Sequence, residues 1–454
     1  MVDIAGENIG VANPAERRTS EVAALQYESD LSPRKLRVAF IILLGQTFAT
    51  SLLPFIALPL LLVPMTKEFG WTPTQFSYAT TSLMWVGAFS SLFCGWVVDY
   101  IGCRPIIILG TVLVGLDTMM ISHTSGLLTF CLGFAGLGLF GSTGMVYSKV
   151  VAGLFSQHRG KALAIMGAES AIAFAIVPQI VNFLLNGYGW RQTFFVLGVV
   201  IVAVVPLLYF FLDEVGTKGG SRDLFKFMKA KPAVKSAADE PPPTQLEGMS
   251  LKQVFGDYTF WLILLATLIA SAPRGGLFTY LSPILSARGF NGQQATANFL
   301  TEITLFGVIG SLISGFALDK FQSPKLAVPF KLLAMLALIA LGIVSTKFGG
   351  QALLVIAAVL WGISQGTLIP TGTYFNTRLF GLKAFGGMMG LNTFFSALFL
   401  GAIAPIVGMS QEKTGSYDPA IWVMTGFLFL GAVIYLILRP YRYSAMVGAT
   451  KKSA

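Results

Sequence analysis

Apolar runs of about twenty residues alternate with short polar connections along almost the whole chain, and each is long enough to cross a bilayer as a helix. Twelve such runs are expected, near 38–65, 75–98, 105–122, 126–153, 162–184, 192–212, 258–285, 295–318, 327–346, 351–377, 384–407 and 420–438. A single long polar insert, Asp213 to Gly256, parts the sixth run from the seventh. It holds Pro241-Pro242-Pro243 and two short amphipathic pieces, around Leu224–Met228 and Leu251–Phe255. The pattern predicts an all-α membrane protein of twelve transmembrane helices in two six-helix bundles. The expected units are a tail over 1–36, a bundle over 37–212, a linker over 213–256, a second bundle over 257–439 and a tail over 440–454.

One stretch breaks the apolar pattern. Ala272-Pro273-Arg274-Gly275-Gly276 sits inside the run from Tyr258 to Leu285. A guanidinium there is costly unless it faces a cavity or a partner. Pro273 removes a backbone donor and the two glycines loosen the chain behind it, so a bend or local unwinding is expected at the charge. Broken membrane helices with a charge at the break point to a transport site.

Composition agrees with the membrane reading. Of 454 residues 54% are hydrophobic and 11% charged, with a mean hydropathy of +0.72. The formal net charge of +10 raises the question of nucleic acid, which the placement of the charges excludes. With both termini inside, only Lys67, Arg191, Arg288, Lys347 and Lys413 fall outside the membrane and Lys149 and Arg274 within it; the other Lys and Arg lie on the inner side. Anionic lipid is their expected neighbour. Cys94, Cys103 and Cys131 show no metal or disulfide spacing. The first 36 residues lack a secretory signal pattern. A multi-pass protein of a plasma membrane (a bacterial inner membrane), with cytoplasmic termini, is expected to act as a monomer without metal or cofactor.

The two halves repeat. A shift of 220 places Gly87 on Gly307, Ser91 on Ser311, Leu92 on Leu312, Gly95 on Gly315 and Asp99 on Asp319. Lys161-Ala162 and Met166-Gly167 are echoed by Lys383-Ala384 and Met389-Gly390. Two similar bundles related by a pseudo-two-fold axis suit alternating access.

Gly95-Trp-Val-Val-Asp99-Tyr-Ile-Gly102-Cys103-Arg104 resembles the G-x-x-x-D-x-x-G-R-R/K signature of the major facilitator superfamily, and Gly315-x-x-x-Asp319-Lys320 resembles its second-half copy. Cys103 replaces a basic residue, and Gln322 stands where the second copy has glycine. The likeness runs from about residue 36 to 440. Lys67-Glu68-Phe69-Gly70-Trp71, Arg159-Gly160-Lys161-Ala162-Leu163-Ala164 and Gly189-Trp190-Arg191 narrow it toward the monocarboxylate and oxalate:formate carrier branches. Animal monocarboxylate carriers place an Asp and an Arg in the eighth span; here Glu302 lies there and the arginine is in the seventh. The resemblance implies a gate at Gly95, Asp99, Gly102, Arg104, Gly315 and Asp319. Asp99 would dock on the start of the eleventh span at Gly386-Gly387, and Asp319 near Gly160, gaining from helix dipoles.

The ionisable groups expected inside the membrane are Asp117, Lys149, Glu169, Arg274 and Glu302. Counting 1.5 Å per residue puts Arg274 and Glu302 at similar depth on adjacent helices. Arg274 is expected to bind an anion and Glu302 to be its counter-charge in the empty carrier, released by protonation; the alternative is a permanent structural pair. Glu169 suits a proton carrier, or a pair with Lys149. Asp117 is a third proton-coupling candidate, or a structural hydrogen-bonding group. Gln46, Tyr147, Tyr280, Gln365, Tyr374 and Asn392 are expected substrate contacts, with Thr47, Phe278 and Trp361 shaping the cavity. His123 and His158 sit at span ends.

These residues point to a secondary carrier moving a small, monocarboxylate-like organic anion by proton-coupled symport, with anion exchange or proton-coupled efflux as alternatives. There is no Gly-x-x-x-x-Gly-Lys-Ser/Thr loop for ATP. A membrane enzyme would need catalytic pairs that are not visible, and a receptor would need a signalling domain.

Overall fold

Polar punctuation between the apolar runs decides where helices begin and end. The computed structural model describes residues 33–144, 146–147, 150–151, 159–212, 248–321, 323–381 and 383–438, with the backbone alone at 33–36, 95–96, 99–100, 159–169, 319 and 369. The first run forms α1 (Pro33–Phe48) and α2 (Leu52–Phe69), parted at residues 49–51. Gly70 ends α2 at φ 68°, a left-handed conformation open to glycine. A capping box starts α3 (Pro73–Ile101): the Gln75 amide donates to the Thr72 hydroxyl at 3.2 Å, and the Thr72 amide to Gln75 Oε1 at 3.0 Å. Then follow α4 (Cys103–Ile121), α5 (Leu127–Phe140), α6 (Arg159–Ala203) and α7 (Val205–Phe211).

The second part runs through α8 (Leu251–Gly256), α9 (Tyr258–Thr279), α10 (Leu281–Ala287), α11 (Gly292–Phe321), α12 (Ala327–Ile343), α13 (Gly350–Gly366), α14 (Leu368–Phe380), α15 (Phe385–Thr414) and α16 (Asp418–Ile437). Among the described residues, 9 helical stretches are long and apolar enough to span a membrane. One of them, Ser170–Phe211, has 42 residues and bends at Gly189, where φ is 78°. Straight, it would measure about 63 Å, twice a bilayer core, so it supplies two passes. With the shorter apolar α5 and the 29-residue α3, the architecture is consistent with twelve passes.

Two expectations change. The helix carrying Arg274 is not broken at the charge: α9 continues through Pro273 to Thr279, and the chain departs from it only at Tyr280 (φ −102°, ψ 10°). The glycines after Arg274 serve packing instead. A Cβ at Gly275 would lie 2.6 Å from Leu400 and 2.8 Å from Ile403, and one at Gly276 would collide with Met424, so both let α9 lie close on α15 and α16. Lys331, counted with a polar connection, is 4% exposed inside α12.

Of the insert, residues 213–247, including the piece around Leu224–Met228, lie outside the described residues. Its end is pinned: the Met249 amide donates to the Phe380 carbonyl at 2.8 Å, and α8 covers the second amphipathic piece.

The apolar core has three parts. One large cluster runs through both halves, from Leu53–Met65 and Phe130–Leu137 to Leu277–Leu285 and Ile403–Leu428. Two smaller clusters are private to one half each: Val38–Val151 with Leu208 and Leu212, and Val254–Ile269 with Phe375–Met388 and Ile434–Leu438. The halves therefore share a core at the far end, which carries Gly70, Gly189 and Gly415. Among the described residues, the buried clusters at the end carrying residues 33 and 438 are each confined to one half.

Candidate functional site

Arg274 lies sixteen residues into α9, about 24 Å from its start, in the middle depth of the molecule. Its side chain is exposed although Ser271, Ala272, Pro273, Gly275, Gly276 and Leu277 around it are buried. The direction it faces follows from Phe278, one turn on and on the same face. Phe278 stacks on Phe55 of α2, with ring centroids 4.9 Å apart and planes 15° from parallel. Phe174 of α6 meets it edge-on at 5.9 Å. Both partners belong to the other half, so the Arg274 face looks across the divide between the halves. There the guanidinium has open space and no partner: among the described residues nothing pairs or hydrogen-bonds with Arg274.

Above this point the halves are tied together. Tyr280 Oη donates to the Ala404 carbonyl at 2.9 Å and lies 3.2 Å from the Pro73 carbonyl. The Thr74 amide donates to Glu412 Oε1 at 3.0 Å, the Thr81 hydroxyl to the Gly401 carbonyl at 2.6 Å, and Trp85 Nε1 to the Leu398 carbonyl at 2.9 Å. Between α6 and α11 runs a ladder of amides. Asn182 donates to Gln294 at 2.7 Å, Gln179 to Asn298 at 3.1 Å and to Thr301 at 3.3 Å, and Thr301 to the Ala175 carbonyl at 2.9 Å.

Of the expected substrate contacts, Gln46 and Asn392 are half-buried and each has a side-chain oxygen buried without a hydrogen-bond partner. Gln365 is half-buried on α13, and the neighbouring Trp361 meets Phe299 edge-on at 5.9 Å. Tyr374 is half-buried with the Arg378 guanidinium 5.2 Å over its ring. Two tyrosines do not line the divide. Tyr280 is fully buried with its hydroxyl on backbone carbonyls, and Tyr147 is fully buried in the first half's private core, where a Cβ on Gly45 would sit 3.0 Å from its oxygen. Thr47 is likewise buried, its hydroxyl donating to the Leu43 carbonyl at 2.8 Å.

The ion pair expected between Arg274 and Glu302 is not formed. Equal depth does not set direction around a helix axis. α11 turns Gln294, Asn298 and Thr301 toward α6 and packs Ile303 and Gly310 on α13, leaving Glu302 half-buried and without a partner. Asp117 lies between α4 and α5: a Cβ on Gly136 would be 2.5 Å from its Oδ2, an atom buried without a partner. Lys149 lies outside the described residues, as do the side chain of Glu169 and His158.

Sequence reasoning missed Phe55, Phe174 and the amide ladder. Gln179, Asn182 and Asn186 recur at helical spacing in one apolar run and Gln294 and Asn298 in another, which is the signal that two polar stripes face each other. Among the described residues no cluster of His, Cys, Asp and Glu is placed to hold a metal.

Residues 38–405 match the family model of the Major Facilitator Superfamily. The chain belongs to that superfamily. Monocarboxylate transporter 11 of Mus musculus is 26% identical over 348 residues, 74% of this chain and 72% of that protein. The probable sulfoacetate transporter SauU of Cupriavidus necator is 25% identical over 406 residues, 82% and 87% of the two chains. The purine ribonucleoside efflux pump NepI of Salmonella typhimurium is 27% identical over 321 residues, 69% and 72%. Among solved structures, a bacterial homologue of the human lysosomal transporter Spinster, inward-facing and unoccupied, superposes with a TM-score of 0.70 at 15% identity, covering 89% of this chain and 96% of that one. The nucleoside transporter NupG gives 0.70 at 12% identity, covering 88% and 99%. The fold is the superfamily's, and the chain is a membrane transporter, not an enzyme.

Of the superfamily signature, Gly102 turns the chain at φ 100°, and Arg104 donates to the Tyr209 carbonyl and lies 5.2 Å over the Tyr209 ring, inside one half. Gly95 is described by its backbone alone, and the side chains of Asp99 and Asp319 lie outside the described residues. Among the described residues, a Cβ at Gly315 or Gly386 would meet nothing within 4 Å. Two of the three motifs of the carrier branches touch: Trp190 Nε1 donates to Glu68 at 2.6 Å, Arg191 pairs with the same carboxylate, and Phe69 stacks on Trp71 at 4.4 Å.

Proposed function

We propose that this chain is a secondary carrier of a small organic anion, monocarboxylate-like, working by alternating access in a plasma membrane with both termini in the cytoplasm. Arg274 is the anion-binding group, and its being unpaired at mid-depth, open to the divide between the halves, is the observation that carries the reading. A buried-depth guanidinium without a counter-ion is expensive in a membrane unless an anion supplies the missing charge. The monocarboxylate and sulfoacetate names among the relatives support an anionic cargo. Gln46, Gln365 and Asn392 complete the polar lining. On this reading residues 213–256 are a cytoplasmic linker between two bundles, and the closed far end is the outer face.

Uptake is driven by proton symport, with Glu302, Glu169 and Asp117 as the carboxyls that take the proton. A second reading, anion exchange, draws support from the lack of contact between Arg274 and Glu302, because exchange needs no carboxyl next to the anion. The test is uptake of labelled monocarboxylates into proteoliposomes carrying wild type or Arg274→Ala. Loss of uptake with normal membrane folding is expected. Unchanged uptake by the variant would sink the assignment.

A further inference from the structure

The Arg274 face of α9 carries a second group on the same side. Phe278 stands one turn beyond the guanidinium, about 6 Å along the axis, and is half-buried. Its ring stacks in parallel on Phe55 at 4.9 Å and is met edge-on by Phe174 at 5.9 Å. Each of the three rings keeps part of its surface exposed, and each comes from a different pass: α2, α6 and α9. The exposed guanidinium thus has an aromatic cluster one turn beyond it on the same face.

A cation and an aromatic surface one helical turn apart recognise an amphipathic ion. The charge fixes orientation, and the ring surface takes apolar area out of water, with stacking geometry available for a flat group. Formate or oxalate would reach the guanidinium and leave the rings unused. We infer that Phe55, Phe174 and Phe278 form a subsite for the apolar body of the anion, so that the cargo is a carboxylate or sulfonate bearing an aryl or branched alkyl group about one helical turn from its charge. This rests on Arg274 as the anion site and adds the second half of the ligand. Because Phe55 and Phe174 lie on one half and Phe278 on the other, a body seated there touches both halves and favours the state in which the rings meet. Preference for such anions is then set by these three side chains and not by the charge.

The experiment compares acetate with phenylacetate, by binding to purified carrier and by uptake into proteoliposomes, for wild type, Phe278→Ala, Phe278→Leu and Arg274→Ala. Wild type is expected to prefer phenylacetate by at least about tenfold, the scale on which a pocket discriminates small apolar groups. Read as the ratio of phenylacetate to acetate within each variant, the preference should fall to below about threefold in Phe278→Ala, and Phe278→Leu, which keeps apolar bulk and guards against a folding defect, should restore part of it. Equal handling of the two anions by wild type, or a full preference surviving in Phe278→Ala, overturns the subsite while leaving Arg274 in place. Retained binding of both anions by Arg274→Ala would instead remove the anion site on which the inference stands.

Discussion

The hydroxyl of Tyr280 donates to the backbone carbonyl of Ala404 at 2.9 Å, where α9 gives way to α10. The same oxygen lies 3.2 Å from the Pro73 carbonyl at the start of α3, so one side chain touches both halves. Removing it with Tyr280→Phe keeps the buried ring and deletes only this bridge. A net hydrogen bond is worth about 1 kcal/mol, and only the share that reaches the Pro73 carbonyl depends on closure, so the closed far end should lose at most about fivefold in population against the open one. Thr74, now 4% exposed, reports the change: in a cysteine-free background, alkylation of Thr74→Cys is expected to speed up when Tyr280→Phe is added. An unchanged rate would show that the bridge does not hold this end.

Two glycine substitutions should fail in different ways. A Cβ at Gly408 would lie 2.5 Å from Tyr280 Oη and 2.7 Å from Thr74 Cα, across the closed far end. Gly408→Ala is expected to fold but to disfavour closure, lowering transport and exposing Thr74→Cys. A Cβ at Gly366 would run into the Gly307 carbonyl inside one half, away from the contacts between the halves. Gly366→Ala should lower thermal stability outright, by an amount in the 1–3 kcal/mol range of overpacking. Thermal unfolding together with cysteine labelling separates the two.

The Asn182–Gln294 bond of 2.7 Å joins the halves through neutral amides. Polar pairs between membrane helices average about 0.6 kcal/mol in double-mutant cycles. A cycle of Asn182→Leu and Gln294→Leu, read through the same labelling equilibrium, should give a coupling of that size. Strict additivity would mean that the ladder is packing without an energetic bond.

Proton coupling has its own test. Glu302→Gln and Glu169→Gln cannot release a proton near neutral pH. If either carboxyl carries the coupled proton, that variant should lose the rise of uptake with external acidity while still exchanging anion for anion. Should both keep the wild-type pH profile, exchange replaces symport as the reading.

The sequence carried the architecture further than the site. The all-helical membrane class and the family were legible, because a bilayer imposes length and polarity on every span and the signature marks the superfamily. Arg274 was legible for the same reason, as a charge in an apolar run. Its surroundings were not. Pro273-Arg274-Gly275-Gly276 reads as a break, yet the helix stays whole, because the glycines are used to bring α9 against Leu400 and Met424. Depth along a helix could be counted for Glu302, but the direction it faces depends on packing with α6 and α13, which no local pattern records. Tyr280 was expected as a ligand contact and is a bridge; Phe55, which no sequence pattern singled out, stacks on Phe278.

The ladder between α6 and α11 has a consequence for how the protein responds to its medium. Among the described residues, the far-end contacts between the halves are amides, hydroxyls, an indole and aromatic rings, with Glu412 the one ionised participant. Salt screens charges over about 10 Å at 0.1 M and leaves neutral hydrogen bonds almost untouched. The closed far end should therefore hold its population from dilute to concentrated salt. A carrier fastened this way keeps that end shut in brackish and fresh surroundings alike.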